Sequence, residues 1–173
     1  SVTDPLGRPV KACKQDYADF LRFHKEKGAE FSVAVMEVDW KEASRFGLMV
    51  ADEDDKITEF QEKPPVPKSN LASMGIYIFN WDILKKYLEE DEADPNSKND
   101  FGMNIIPALL RDGRKMYAYH FNGYWRDVGT IDSLWEANME VLDPENSGID
   151  IFDEKWKIYS RNPVLPAQKI GPR

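Results

Sequence analysis

Apolar positions along the chain follow two periods in turn, one near 3.6 residues and one near 2, which predicts alternating helices and strands. "DYADFLRFHKEKGA" places Tyr17, Phe20, Leu21 and His24 on one helical face, with Asp16 as N-cap and Gly28 as the stop. "EFSVAVMEV" reads as a buried strand of small and β-branched residues. "GLMVADEDDKITEFQEKP" reads as strand, acidic turn and strand, with Asp52 to Asp55 at a solvated hairpin tip whose carboxylates have no reason to converge. A Pro-rich loop, "KPPVPKSN", leads into the strand "LASMGIYIF". Two helices follow: "WDILKKYLEE", with Ile83, Leu84, Tyr87 and Leu88 inward, and "DFGMNIIPALLRDG", restricted by its internal proline. "KMYAYHF" and "YWRDV" are strands, and "IDSLWEANMEVL" is a helix with Ile131, Leu134, Trp135, Asn138 and Leu142 on one side. The alternation predicts an α/β domain. The tail "SRNPVLPAQKIGPR" has no period and reads as a linker.

Composition narrows the function. A hydrophobic content of 42% in 173 residues suits a packed core. The net charge of −8 excludes the basic face that nucleic acid requires. No apolar run approaches the roughly 20 residues of a membrane span, and the opening segment lacks a signal-peptide core. Cys13 is the single cysteine, so there is neither an internal disulfide nor a Cys/His zinc cluster. The expected location is cytoplasmic. Trp81, Trp125 and Trp135 read as core and rim aromatics, His24 and His120 as ordinary, and Met74 and Met103 as packing residues. Gly7 and Gly28 stand alone, so no glycine-rich phosphate loop is present.

Four stretches carry candidate chemistry, each with two readings. In "FQEKPPVP", Lys63 ends a strand before a proline and is either a solvated lysine or a cation facing a phosphate in a cleft. In "LASMGIYIF", the small residues Ala72, Ser73 and Gly75 admit either a ligand or a neighbouring backbone. In "SKNDFG", Asp100 is a helix N-cap or a carboxylate that holds sugar hydroxyls. In "GYWRDVGT", Thr130 can cap the next helix, which leaves Asp127, beside Arg126, ionised and available to a hard cation such as Mg²⁺.

Taken in order, "EEASRFG", "EFQEKP", "SNLASMGIYIF", "NDFGMNIIP" and "GYWRDVGTIDSLWEANM" resemble the bacterial glucose-1-phosphate adenylyltransferases (ADP-glucose pyrophosphorylases), from about Lys14 to about Ser160. The resemblance implies a Rossmann-like, GT-A-like nucleotidyltransferase domain with a mixed, mainly parallel sheet, incomplete at its N-terminal side. Residues 1–13 would then be a segment that does not fit, 14–160 the C-terminal part of the catalytic domain, and 161–173 a linker toward a left-handed β-helix domain. It also implies that Lys63 holds the phosphate of α-D-glucose 1-phosphate, with Glu62, Ser73, Asp100 and the Gly47 backbone around the sugar phosphate. Asp127 would be the second metal-binding aspartate, holding Mg²⁺.

The implied reaction is ATP plus α-D-glucose 1-phosphate giving ADP-glucose and diphosphate, in glycogen biosynthesis. The implied assembly is a homotetramer of the complete protein. Two departures stand out: the family's glycine-rich loop is missing, and its first metal-binding aspartate falls at the position of Val10. This chain alone is therefore expected to have little or no activity. The alternatives are a uridylyl- or thymidylyltransferase of the same fold, and a non-catalytic regulatory subunit that binds sugar phosphate.

Overall fold

The computed structural model describes residues 11–157. The readings of residues 1–10, Val10 among them, and of the linker at 161–173 lie outside the described residues. Among the described residues there are two compact units, one of residues 13–125, the other of residues 11–12 together with 126–157.

The unit of residues 13–125 is built on a five-stranded sheet. Its strands are β2 (Phe31–Glu37), β3 (Gly47–Ala51), β4 (Ile57–Glu62), β5 (Leu71–Phe79) and β6 (Met116–His120), in the order β4-β3-β5-β2-β6. Strand β2 is interior, between β5 and β6, and both its faces are apolar. Phe31, Val33 and Val35 enter a core with Met49, Leu109 and Met116, and Ala34 faces a second cluster with Phe20, Met74 and Trp125. Helix α1 (Tyr17–Glu26) covers the second face. On the first lie α2 (Trp81–Ala93) and a π-helical turn (Phe101–Ile105) that runs into α3 (Ile106–Arg111). The predicted helix at 101–113 is thus a π-helical turn continued by α3, with Pro107 at the start of α3.

The expected α/β class and mixed sheet are present, but the mainly parallel arrangement is corrected. Only β2 and β6 run parallel, whereas β2–β5, β3–β4 and β3–β5 are antiparallel. The tight acidic turn forces β3 and β4 into a hairpin, and only β6, reached after α2 and α3, has the long connection that a parallel strand needs.

Other expectations are also adjusted. On α1 the buried residues are Phe20 and His24, while Tyr17 and Leu21 face solvent. On α2 Tyr87 is buried and Leu88 exposed. Of the tryptophans, only Trp125 belongs to the core, Trp81 and Trp135 being exposed. The acidic hairpin tip is not merely solvated, since Lys27 and His120 pair with its carboxylates.

His24 fastens α1 to the sheet. Asn80 Nδ2 donates to the Ala29 carbonyl at 3.2 Å, which turns Asn80 Oδ1 toward His24 Nε2, also at 3.2 Å. Nε2 therefore carries the proton, and Nδ1 accepts from Ser32 Oγ at 2.8 Å.

Strand β7 (Trp125–Asp127) pairs with β1 (Lys11–Cys13), and in the unit from residue 126 α4 (Ile131–Val141) and α5 (Pro144–Ser147) follow. Thr130 caps α4 as expected, accepting from Ser133 N at 3.2 Å while Ser133 Oγ accepts from Thr130 N at 3.1 Å. Helix α4 buries Ala137, whereas Ile131, Trp135 and Leu142 are exposed.

Replacing His24 with alanine removes the shared partner of a buried hydroxyl and an amide. The expected loss is about 1–3 kcal/mol from the unpaired groups alone, measurable as a lower urea midpoint at unchanged slope.

Candidate functional site

The candidate residues of the larger unit gather at the open end of the β3–β4 hairpin and beside β5. Gly47 and Glu62 are the last registered pair of that hairpin. Lys63 follows, its N–H donating to the Phe46 carbonyl at 3.1 Å, across the same hairpin. Its φ is +44°, in the left-handed region. A branched-free lysine tolerates that conformation poorly, and the following Pro64 disfavours it further, so this turn is strained. The Lys63 ammonium lies 3.6 Å from Glu62 Oε1 with its side chain 67% exposed. The ammonium stands in solvent, with one carboxylate beside it.

Glu62 occupies a space made by two glycines. A Cβ on Gly47 would come within 3.0 Å of Glu62 Oε2, and one on Gly102 within 2.9 Å of the same atom and 3.3 Å of Asp100 Oδ1. Gly102 thus brings the π-helical turn against the hairpin and places Asp100 and Glu62 around one glycine. Asp100 is the N-cap of that turn, its Oδ1 accepting from Met103 N at 2.8 Å. Both readings of this residue meet here, because capping fixes the carboxylate beside the glycine.

Ser73 is aimed by an irregularity in β5. Val35 is paired with Ser73 and Val33 with Tyr77, so two steps on β2 face four on β5. Gly75, at φ +69°, absorbs the extra length, and its N–H donates to Ser73 Oγ at 3.2 Å. The bulge brings Ser73 and Tyr77 near each other. Burial pushes the Tyr77 phenol above its ordinary pKa; the Ser73 hydroxyl pulls the other way, and the Asp100 and Glu62 carboxylates add to the rise. Tyr77 also stacks on Phe101, centroids 5.5 Å apart.

Tyr77, Phe101, Gly102 and Phe60 were not singled out from the sequence. Tyr77 was findable from its even spacing after Ser73 in a strand, but the glycine contacts are not visible in one dimension. A cavity of about 400 Å³ opens beside this group, lined by Phe60, Glu62, Gly102 and Met103, with Asn96 and Lys98 at its polar wall. Met103 is therefore a half-exposed cavity residue, whereas Met74 is a core residue.

Asp127 belongs to the other unit, at the end of β7 and half-buried. Its carboxylate lies 3.7 Å from the Cβ position of Gly129. Arg126 pairs with Glu140 through its Nε, at 3.0 Å, and its Nη2. Among the described residues no group of three or more His, Cys, Asp or Glu is arranged to hold a metal. A single carboxylate still fits Mg²⁺, which takes one or two protein carboxylates and completes its shell with phosphates and water.

A family model described as "Nucleotidyl transferase" matches residues 11–144. The chain belongs to the nucleotidyl transferase family. Within that family it is 66% identical over 158 residues to a protein of Clostridium beijerinckii named glucose-1-phosphate adenylyltransferase, covering 91% of this chain and 41% of that one. Proteins with the same name from Clostridium acetobutylicum (63% over 158 residues, 91% and 41%) and Desulforamulus reducens (60% over 159 residues, 92% and 40%) are similar over the same stretch. The chain spans about two-fifths of the length of these curated relatives.

Two outcomes follow for this group of residues. Gly102→Ala would drive the Glu62 carboxylate aside. Because that is the free end of a flexible side chain, the stability cost stays below about 1 kcal/mol, whereas the Glu62–Asp100 arrangement is lost. Thermal unfolding and the crystal structure of the variant read the two effects. For Tyr77, the folded pKa lies above the unfolded one, so its stabilising contribution is full below the unfolded value and is lost as pH rises through the folded value. Tyr77→Phe should flatten the alkaline fall of stability in denaturation followed from pH 9 to 12, a window of about one to two units around the ordinary phenol value.

Proposed function

We propose that this chain is the sugar-phosphate-binding part of a glucose-1-phosphate adenylyltransferase, the enzyme that makes ADP-glucose and diphosphate from ATP and α-D-glucose 1-phosphate. The observation that carries this reading is the convergence of Glu62, Asp100 and Gly102 beside Lys63, in a chain 66% identical to a protein of that name. The relatives' names favour ATP over UTP or dTTP as the nucleotide.

The residues divide by chemistry. Glu62 and Asp100 are acceptors, suited to hydroxyls of the hexose, and Phe101 and Tyr77 offer apolar and phenolic surface to a ring. Gly47 leaves room for backbone approach. Lys63 turns toward the anomeric phosphate, neutralises it and aligns one of its oxygens for in-line attack on the α-phosphorus of ATP. Ser73 donates its hydroxyl to the same phosphate. That oxygen is already ionised, so no general base is needed. Mg²⁺, held by Asp127, would supply charge neutralisation between the two polyanions. This reading places the complete protein in glycogen biosynthesis in the cytoplasm as a homotetramer, expectations that rest on the resemblance. Among the described residues no helix is long and apolar enough to cross a membrane.

The test is calorimetric titration of α-D-glucose 1-phosphate into this chain, beside Lys63→Ala and Asp100→Asn, with circular dichroism confirming the fold. Saturable binding is expected, weakened about 10- to 100-fold in Lys63→Ala by the loss of one charge-assisted contact. A folded chain that binds no sugar phosphate contradicts the proposal.

A further inference from the structure

The β3–β4 hairpin is held at both ends, and its far end takes no part in the site. At the near end, Glu62 pairs with Gly47 and the Lys63 N–H bonds to Phe46, so both site residues are fixed to the opposite arm of the same hairpin. The ladder joining that hairpin to the rest of the sheet is short: Leu48 with Ala72 and Met49 with Leu71. Beyond it, both arms continue to the acidic turn, about 15 Å away at the usual rise per strand residue. The two arms are paired from Gly47–Glu62 to Ala51–Ile57 and share core packing through Met49 and Ile57, so the hairpin moves as one body and a displacement of its tip is carried to its base.

The tip is fastened to two other elements. The Asp55 carbonyl accepts from Ala118 N in β6 at 2.9 Å, and Asp55 Oδ1 lies 3.2 Å from His120 Nε2. Lys56 and Tyr117 form an isolated antiparallel bridge. From the end of α1, Lys27 Nζ donates to the Asp54 carbonyl at 2.7 Å and to Asp54 Oδ1 at 2.8 Å, and lies 3.5 Å from Asp55 Oδ2. The same ammonium sits over the rings of Phe23 and Tyr117 at 5.8 and 5.6 Å. Asp55 itself is left-handed at φ +64°, a conformation that its tertiary contacts hold in place. Ion pairs this close to solvent add little stability. What they add is position.

We propose that this latch, built on Asp55 and Lys27, is a positioning device that sets the backbone of Glu62 and Lys63 from the opposite end of the hairpin. That the ligand so positioned is a sugar phosphate rests on the function proposed above; the mechanical coupling does not.

Two measurements on the intact chain separate these claims. Asp55→Asn keeps a residue that tolerates the left-handed region while removing the charge, and Lys27→Gln removes the other side of the latch should the first variant fold poorly. By amide hydrogen exchange, either variant should speed exchange at Lys63, whose N–H is bonded across the hairpin base, about tenfold, with Val33 and Ala34 in the central strand unchanged. By calorimetry, α-D-glucose 1-phosphate should bind about three- to tenfold more weakly, and the double variant should be no weaker than the poorer single one, because both break the same latch. Unchanged exchange at Lys63 in both variants overturns the proposal whether or not the sugar phosphate binds. Faster exchange in the variants of a parent that binds no sugar phosphate upholds the coupling and removes the function assigned to the site.

Discussion

The Glu62 carboxylate lies where two segments distant in sequence both omit a side chain. Gly47 on β3 and Gly102 in the π-helical turn each leave about the volume of one methyl group, and the same oxygen of Glu62 reaches into both spaces. This contact holds the hairpin end against the turn that carries Asp100, and it brings together carboxylates that a solvated chain would separate. The other site residues are placed relative to it. Lys63 follows Glu62 in a strained turn, and Tyr77, on the neighbouring strand, senses both carboxylates. Charge is tolerated here because Glu62 is open to solvent and the Asp100 carboxylate accepts from the Met103 N–H.

The sheet supplies the rigidity that this end requires. Strand β2 is buried on both faces, and β5 pairs along its length except at the bulge. Several irregular features fall at the site: positive φ at Lys63, Gly75 and Asn99, a register break in β5, and a π-helical turn after Asp100; Asp55 and the break at Val50 and Ala51 mark the hairpin's other end. A regular core and strained margins are the usual division between parts that specify the fold and parts that present chemistry.

Much of this was legible in the sequence, for identifiable reasons. Strands β2 and β5 and helices α1 and α4 follow directly from periodicity and caps, since Asp16 and Thr130 bond the N–H groups that capping chemistry predicts. Strand direction was not legible, because an apolar strand looks the same whether its neighbour runs with it or against it. The exposure of Ile131, Trp135 and Leu142 on α4 was not legible for a related reason: periodicity shows that a face is apolar, not whether it is covered. The acidic turn is the solvent-exposed hairpin tip that was expected, but part of its role was not legible. Its carboxylates do have partners, but Lys27 and His120 lie 27 and 65 positions from Asp54 and Asp55, and only tertiary structure brings them together. Gly102 shows the same limit, since its role depends on a carboxylate in another element.

The charge of the site bears on how a phosphate could enter it. Glu62 and Asp100 are set against Lys63 and, across the cavity, Lys98, in a chain of net charge −8, so the carboxylates offset the lysines' attraction for an anion. A ligand with hydroxyls at one end and a phosphate at the other suits this asymmetry, because the carboxylates meet the uncharged end and the lysine the charged one. The 3.6 Å separation between Lys63 and Glu62 is a loose pairing, longer than a charge-assisted hydrogen bond, and an exposed lysine gives it up at little cost. The ammonium is then free to swing to the phosphate while its backbone stays fixed by the hairpin. On that argument the strained φ at Lys63 has a function: it turns the side chain away from the strand direction, at the point where the strand can no longer be extended.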